Sequence, residues 1–300
     1  MIVRRDFLRL AGGAFGALAF AGSIGGAFAK SGDSNKMKFS TARFDALERE
    51  SGGRLGVAVL DTQTGERFGH RDGERFPLCS TFKFLLTTAV LQRVDRGEER
   101  LDRLIPIAKS DIVSNSPFAE TRVGQGATVA QLCEGMMTFS DNTAANLLLP
   151  IIGGPEGMTR FARSIGDTVT RLDRNETGLG TAMLDDDRDT TSPRAMVDNL
   201  ERILLGTVVE AQSRDRVTSW LKDSRTGGTR LRAGLPKSWT VGDKTGSGAN
   251  GTANDIAIVW PTGRKPVLIA AYLTHSTLEE GKRHAILASV GRELANAFAV

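Results

Sequence analysis

The chain has 300 residues, a mass of 32.2 kDa, and 40% apolar, 25% charged and 6% aromatic residues. This composition is typical of a globular protein and excludes a disordered, collagenous or coiled-coil chain. The formal charge of +4 comes from 39 basic and 35 acidic side chains without a basic run, so it does not indicate nucleic-acid binding. The three histidines and two cysteines lack metal-ligand spacing, and we therefore expect neither a zinc site nor a cofactor.

The first 29 residues have the pattern of an export signal. Arg4 and Arg5 precede an apolar stretch at 10–21 that is too short to span a membrane, and Ala27–Ala29 forms an Ala-x-Ala cleavage pattern. The paired arginines favour a twin-arginine signal, with an ordinary secretory signal as the alternative. Cleavage after Ala29 removes three basic and one acidic side chain, which leaves 36 and 34, or +2. We expect a periplasmic protein without a membrane anchor.

Strand signals lie near both chain ends, and helix signals lie between them. A helix over 41–50 comes before the first strands, and another over 278–298 follows the last ones. Five strands are predicted, at 55–60, 66–71, 239–247, 254–260 and 266–274. The sequence thus predicts an α+β fold, in which one five-stranded antiparallel sheet is built from both ends of the chain.

Residues 79–225 carry helix signals almost exclusively, and the segment Phe82–Val94 is apolar nearly all round, as in a helix buried on every side. We predict an all-helical domain at 79–225, inserted into an α/β domain formed by 30–78 and 226–300. The crevice between the two parts is the expected place for a site. Cys79 and Cys133 are expected to be unpaired.

Three short motifs place reactive side chains in a specific order along these elements. Ser80 and Lys83 are three residues apart, so on a helix they share a face and the amine can activate the hydroxyl as a nucleophile. Ser140-Asp141-Asn142 follows between two predicted helices, and Lys244-Thr245-Gly246 follows in a predicted strand. Ser219 and Lys222 have the same three-residue spacing as Ser80 and Lys83. Because they come after Ser140-Asp141-Asn142 in the chain, they cannot begin the series, and we interpret them as the end of an amphipathic helix.

In this order the motifs resemble those of the class A serine β-lactamases. The resemblance covers the chain from the first hairpin to the final helix, and it implies an α/β sandwich with an inserted helical domain. It also implies hydrolysis of the β-lactam ring of antibiotics through an acyl-enzyme, and hence antibiotic resistance. A β-lactam is then the expected partner, and a monomer the expected state.

The resemblance assigns roles to residues of this chain. Ser80 is the expected nucleophile, Lys83 assists it, and Ser140 relays a proton to the departing ring nitrogen. Asn142 would hold the substrate's side-chain amide. The substrate carboxylate would be bound by further residues, namely Lys244, Thr245, Ser247 and Arg230. The N–H groups of Ser80 and Ser247 would form the oxyanion hole.

The segment 167–191 resembles the omega loop of the family. Glu176 is the expected general base for deacylation, and Arg174 and Asp189 match the ion pair at the neck of the loop. Lys83 and Glu176 both remain candidates for the base of the acylation step. Glu176 argues against a D,D-peptidase or penicillin-binding protein, which shares the three motifs but lacks this glutamate.

The chain also departs from the family pattern. Gly180 stands where an asparagine usually helps to hold the hydrolytic water, Thr177 replaces a proline, and Asn115 replaces an aromatic residue at the cleft mouth. Gly248 stands at the position that pairs with a cysteine like Cys79 in some carbapenem-hydrolysing relatives. Because of Gly180, a non-catalytic binder of β-lactams or cell-wall fragments stays open as an alternative.

Overall fold

The computed structural model describes residues 39–298, so the predicted export signal at 1–29 lies outside the described residues. Within 39–298 no helix combines the length and apolar character needed to cross a membrane. The helices are α1 Thr41–Ser51, α2 Phe82–Asp95, α3 Val129–Thr138, α4 Asn142–Leu148, α5 Gly154–Ser164, α6 Pro193–Leu204, α7 Ala211–Lys222, α8 Leu231–Gly234 and α9 Glu280–Phe298. The strands are β1 Arg54–Asp61, β2 Arg67–His70, β3 Phe76–Pro77, β4 Leu104–Ile105, β5 Ala127–Thr128, β6 Thr190–Thr191, β7 Thr240–Gly248, β8 Thr252–Trp260 and β9 Val267–Thr274.

Five of these strands form one antiparallel sheet in the order β2-β1-β9-β8-β7. Strand β1 therefore pairs with β9, and the two ends of the chain meet in the middle of the sheet. This arrangement confirms the α+β prediction of a five-stranded antiparallel sheet built from both chain ends. All five strands begin and end within two residues of the predicted bounds.

The sheet separates two apolar cores, because successive side chains on a strand point to opposite faces. On β9, Leu268 and Tyr272 pack into the core shared with the helices of the middle segment. Ile269 and Leu273 point the other way, into the core beneath α1 and α9. Both cores exclude water, so the sheet is buried on both faces.

The middle of the chain is mainly helical, as the sequence predicts. Thr128 and Ser192 cap α3 and α6 by accepting hydrogen bonds from Gln131 N and Ala195 N. Helix α2 is buried without interruption from Phe82 to Leu91, which agrees with its apolar sequence. The expectation of helices alone was incomplete, because β4 pairs with β5 and β6 pairs with β3. Each of these strands has two residues, too few for an alternating pattern in the sequence.

Candidate active site

A cleft of about 580 Å³ opens where the start of α2, the α3–α4 connection, the 167–191 segment and β7 meet. Seven of the nine predicted site residues line it: Ser80, Ser140, Asn142, Glu176, Arg230, Thr245 and Ser247. The other two, Lys83 and Lys244, are fully buried and form hydrogen bonds to residues of the cleft wall. All nine therefore belong to one site.

Ser80 lies in a short 3₁₀ turn at the start of α2, within hydrogen-bond reach of an acid and an amine. Lys83 Nζ donates to Ser80 Oγ at 3.0 Å, and Ser80 Oγ donates to Glu176 Oε1 at 3.3 Å. Lys83 Nζ and Glu176 Oε1 are 3.0 Å apart. The hydroxyl thus has two groups beside it that could accept its proton, which is the geometry of an activated nucleophile.

Lys83 is held at this point by two further acceptors. Its Nζ donates to Ser140 O at 2.8 Å and to Asn142 Oδ1 at 2.5 Å. Burial lowers the pKa of Lys83, whereas the neighbouring Glu176 carboxylate opposes that shift. A lysine with a lowered pKa is a better proton acceptor at neutral pH than an exposed one.

Glu176 is fixed through its backbone by Asn146, a residue of α4. Asn146 Nδ2 donates to Glu176 O at 2.8 Å, and Glu176 N donates to Asn146 Oδ1 at 3.0 Å. The peptide bond that joins Glu176 to Thr177 is cis. Asn146 was missed in the sequence analysis, although its position four residues after Asn142 puts both amides on one helix face.

The 167–191 segment, which we call the omega segment, has no α-helix and is closed by an ion pair at its neck. Arg174 Nε lies 2.5 Å from Asp189 Oδ2, as the resemblance implied. Asp189 Oδ1 also accepts hydrogen bonds from Asp173 N and Arg174 N. These contacts fix the backbone that leads directly into Glu176.

Lys244 and Arg230 bring positive charge to the β7 wall of the cleft. Lys244 Nζ donates to Ser140 Oγ at 2.9 Å, which joins the second and third sequence motifs. Arg230 Nη2 donates to Ser247 Oγ at 2.6 Å. Burial and the charges of Lys83 and Arg230 lower the pKa of Lys244 well below its usual value.

Gly246 allows β7 to pass close to the turn that carries Ser80. A Cβ at Gly246 would lie 3.2 Å from Ser80 N and 3.1 Å from Leu78 O, so a side chain would push strand and turn apart. Nearby, a Cβ at Gly248 would lie 2.7 Å from Cys79 Sγ. Cys79 and Cys133 are both buried and unpaired, as predicted.

A second cleft, of about 620 Å³, lies between β2 and α6, but its charges neutralise one another. Arg67 pairs with Asp198 at 2.7 Å, and Arg194 pairs with Asp72 at 2.8 Å. In the described part of the chain, no group of three or more His, Cys, Asp or Glu side chains could hold a metal ion. The cleft at Ser80 is therefore the better candidate for chemistry.

Comparison with known proteins identifies the family of this site. A family model described as the β-lactamase enzyme family matches residues 40–298. The chain is 56% identical, with a TM-score of 0.86, to the class A β-lactamase of the last common ancestor of Gram-negative bacteria, and the match covers 86% of this chain and 99% of that one. The chain belongs to the class A serine β-lactamases.

Two other relatives support this assignment over similar lengths. β-Lactamase L2 of Stenotrophomonas maltophilia is 43% identical over 97% of this chain and 98% of its own. A putative class A β-lactamase of Rhodopseudomonas palustris is 54% identical, with a TM-score of 0.85, and covers 86% of this chain and 99% of its own. The chain is thus a hydrolase of β-lactams, an activity that confers antibiotic resistance, and neither alternative function is favoured.

Proposed function

We propose that this β-lactamase opens the β-lactam ring by forming an ester on Ser80, which water then hydrolyses under general-base catalysis by Glu176. The observation that carries the proposal is that one hydroxyl, Ser80 Oγ, lies 3.0 Å from Lys83 Nζ and 3.3 Å from Glu176 Oε1. Both distances are features of this structure and do not rely on the similarity to known β-lactamases.

In the acylation step, Ser80 Oγ attacks the carbonyl carbon of the ring, and the C–N bond of the ring breaks. Lys83, or Glu176 through a water molecule, accepts the hydroxyl proton. Ser140 Oγ passes a proton to the departing ring nitrogen. Lys244 Nζ lies 2.9 Å from Ser140 Oγ and stabilises this oxygen. The Ser80 and Ser247 N–H groups would stabilise the oxyanion, and loss of one such donor typically costs about 2.7–4 kcal/mol.

Substrate recognition would use the charged wall of the same cleft. Two cationic groups and two hydroxyls would face the substrate carboxylate, namely those of Lys244, Arg230, Thr245 and Ser247. Asn142, whose Oδ1 accepts from Lys83 and whose Nδ2 donates to Ser114 O, would face the amide of the drug's side chain. Asn115 is exposed at the mouth, which leaves the entrance polar.

The test is mass spectrometry of the protein mixed with benzylpenicillin. We expect Glu176→Ala to accumulate an adduct on the peptide that contains Ser80 and to lose deacylation by roughly 10²–10⁴-fold, because a positioned general base contributes about that much. Ser80→Ala serves as the matched control and should give no adduct. An absent adduct on Ser80, or full-speed hydrolysis by Glu176→Ala, would contradict the proposed route.

A chromogenic cephalosporin separates this function from the two alternatives. Steady turnover supports β-lactam hydrolysis. A burst equal to the enzyme concentration that then stops indicates a D,D-peptidase or penicillin-binding protein, and no absorbance change indicates a non-catalytic binder. The closeness of Glu176 to Ser80 Oγ leads us to expect turnover.

We also propose that the protein is exported to the periplasm by a twin-arginine signal and acts there as a monomer. The support for export is the Arg4-Arg5 pair, the apolar stretch and the Ala27–Ala29 pattern, all outside the described residues. The division into an α/β domain (30–78 and 226–300) and a helical domain (79–225) likewise stays a proposal. N-terminal sequencing of the mature protein should begin at Lys30, and a retained Arg4-Arg5 pair would contradict cleavage.

A further inference from the structure

Two buried aspartates lie behind the cationic wall of the cleft, and the proposed reaction uses neither. Asp243 on β7 and Asp255 on β8 are both fully buried. In the pairing of the two strands, Asp255 is opposite Thr245, and Thr245 is two residues from Asp243. Since side chains two residues apart point to the same side of a strand, both carboxyls lie on one face of the sheet.

The two carboxyls hold the turn that carries Arg230. Asp255 Oδ2 accepts a hydrogen bond from Leu231 N at 3.1 Å, and Asp243 Oδ2 accepts one from Arg232 Nε at 3.0 Å. A Cβ at Gly227 would come within 2.0 Å of Asp243 Oδ2, so the turn packs directly on this carboxyl. Arg230 lies between these three fixed points.

Arg230 itself extends from this turn to the substrate side of β7. Its Nη1 donates to Gly246 O at 2.7 Å and to Asn254 O at 2.6 Å. Its Nη2 donates to Ser247 Oγ at 2.6 Å, in the cleft. The position of the backbone at 227–232 determines where the Arg230 side chain starts, and the two aspartates fix that backbone.

We propose that Asp243 and Asp255 are positioning residues that aim Arg230 at the substrate carboxylate, and that together they carry one proton, held by Asp255. The proposal rests on the proposed function, because it takes Arg230 as a group that binds the carboxylate. Asp243 is the charged member of the pair, since its partner is the guanidinium of Arg232.

The location of the proton follows from the partners of each carboxyl. Asp243 has an ion pair with Arg232, whereas Asp255 has one N–H donor and no ion pair with any described residue. A buried carboxylate without a paired charge is costly and tends to be protonated instead. Burial and the nearby Asp243 charge raise the pKa of Asp255 well above its usual value, against the opposing effects of Arg230, the Leu231 N–H and Arg232.

Kinetics with carboxylate-bearing substrates tests the positioning role. We expect Asp255→Ala to raise the KM for benzylpenicillin about tenfold, because it weakens a hydrogen-bonded charge contact made by Arg230, with kcat changed less than about threefold. Asp255→Asn should restore KM to within about twofold, because the amide keeps the shape of a protonated acid and an oxygen for Leu231 N. The methyl ester of the same penicillin should show no such difference among the variants.

Two controls separate positioning from a general loss of stability. Asp61 on β1 is another fully buried aspartate of the sheet, and it forms an ion pair with Arg264 at 2.9 Å. Asp61→Ala should therefore lower the melting temperature without raising KM. In an Arg230→Ala background, Asp255→Ala should give no further increase in KM, because both substitutions remove the same contact between Arg230 and the substrate carboxylate. An unchanged KM in Asp255→Ala, or increases that add in the double variant, would overturn the proposal. Failure of the proposed function would appear instead as no adduct on Ser80.

The proton is tested by stability against pH. Because the folded pKa of Asp255 is raised, its contribution to stability is fully present below the unfolded pKa of about 3.9 and is lost as pH rises from there to the folded pKa. Asp255→Asn removes this loss, so its melting temperature should increase relative to the parent protein as pH rises from 4 to 8. A difference that stays constant across this range would show that Asp255 is ionised, and would overturn the proposed proton on Asp255.

Discussion

The helical wall and the β7 wall of the cleft each contain one fully buried lysine, and the two lysines have different partners. Lys83 Nζ donates to Ser80 Oγ at 3.0 Å, and Lys244 Nζ donates to Ser140 Oγ at 2.9 Å. Lys83 also has the Glu176 carboxylate at 3.0 Å. Lys244 has no carboxylate within ion-pair distance among residues 39–298; its other acceptor is Thr245 O.

From this difference we infer a site for proton transfer beside Lys83 and a site for an anion beside Lys244. Burial lowers the pKa of both lysines, but Glu176 opposes the shift at Lys83, whereas Lys83 and Arg230 add to it at Lys244. The positive charge on the β7 wall is thus incompletely compensated until an anion binds. A substrate carboxylate would provide the missing charge, which explains how one cleft can both activate a hydroxyl and select acidic substrates.

The largest effect is expected from removing the amine beside the nucleophile. Lys83→Met keeps much of the side-chain volume but cannot exchange a proton, so we expect the acylation rate to fall at least about a hundredfold with little change in substrate affinity. Stopped-flow acylation measurements separate the two quantities. The comparison would be wrong if Lys83→Met and Lys244→Met lost rate and affinity in the same proportion.

A smaller effect is expected from the second lysine, and it should appear as binding. Lys244→Met should raise the KM for a penicillin by about 10–100-fold, the usual range for a lost charge-assisted hydrogen bond. Because the pKa of Lys244 is lowered, kcat/KM should fall as pH rises through it, when the ammonium is lost. Lys244→Arg keeps its charge, so its alkaline limb should lie at higher pH. An alkaline limb that does not move would assign that limb to another group, such as Lys83.

Most of the fold was predictable because its main strands and helices are long enough to show a periodic pattern or a continuous apolar run. Strand β9 and helix α2 are both recognisable as uninterrupted apolar runs, because each segment is buried on every side. The two-residue strands β4, β5 and β6 were not predictable, since their pairing depends on which distant segments meet.

The contact between Ser80 and Lys83 was predictable because it is local in sequence, and the residues on β7 were expected from the family resemblance, but two buried aspartates of the sheet were missed. Ser80 and Lys83 share a helix turn, so their contact follows from spacing. Asp243 and Asp255 are twelve residues apart and meet only because β7 and β8 pair in one register. Their roles concern the turn beneath Arg230, which no local pattern in the sequence indicates.

The smallest effect concerns Gly180, where the omega segment meets β7 and the two walls come together. Gly180 O accepts from Ala249 N at 2.9 Å, and a Cβ at Gly180 would meet no heavy atom within 4 Å. A Cβ therefore fits there without moving either wall. Gly180→Asn would add an amide to the cleft that Glu176 also lines, where we propose that the hydrolytic water is activated.

We expect Gly180→Asn to speed deacylation about 2–10-fold for substrates whose acyl-enzyme is hydrolysed slowly, since one added neutral hydrogen bond is worth about 0.5–1.5 kcal/mol. The acylation rate, for which we propose Lys83, and the KM, for which we propose Lys244 and Arg230, should not change. Gly180→Ala is the matched control, because it fills space without adding a hydrogen-bonding group. Equal deacylation rates in the Asn, Ala and parent proteins would show that Glu176 holds the water without help, and that Gly180 is a neutral departure from the family.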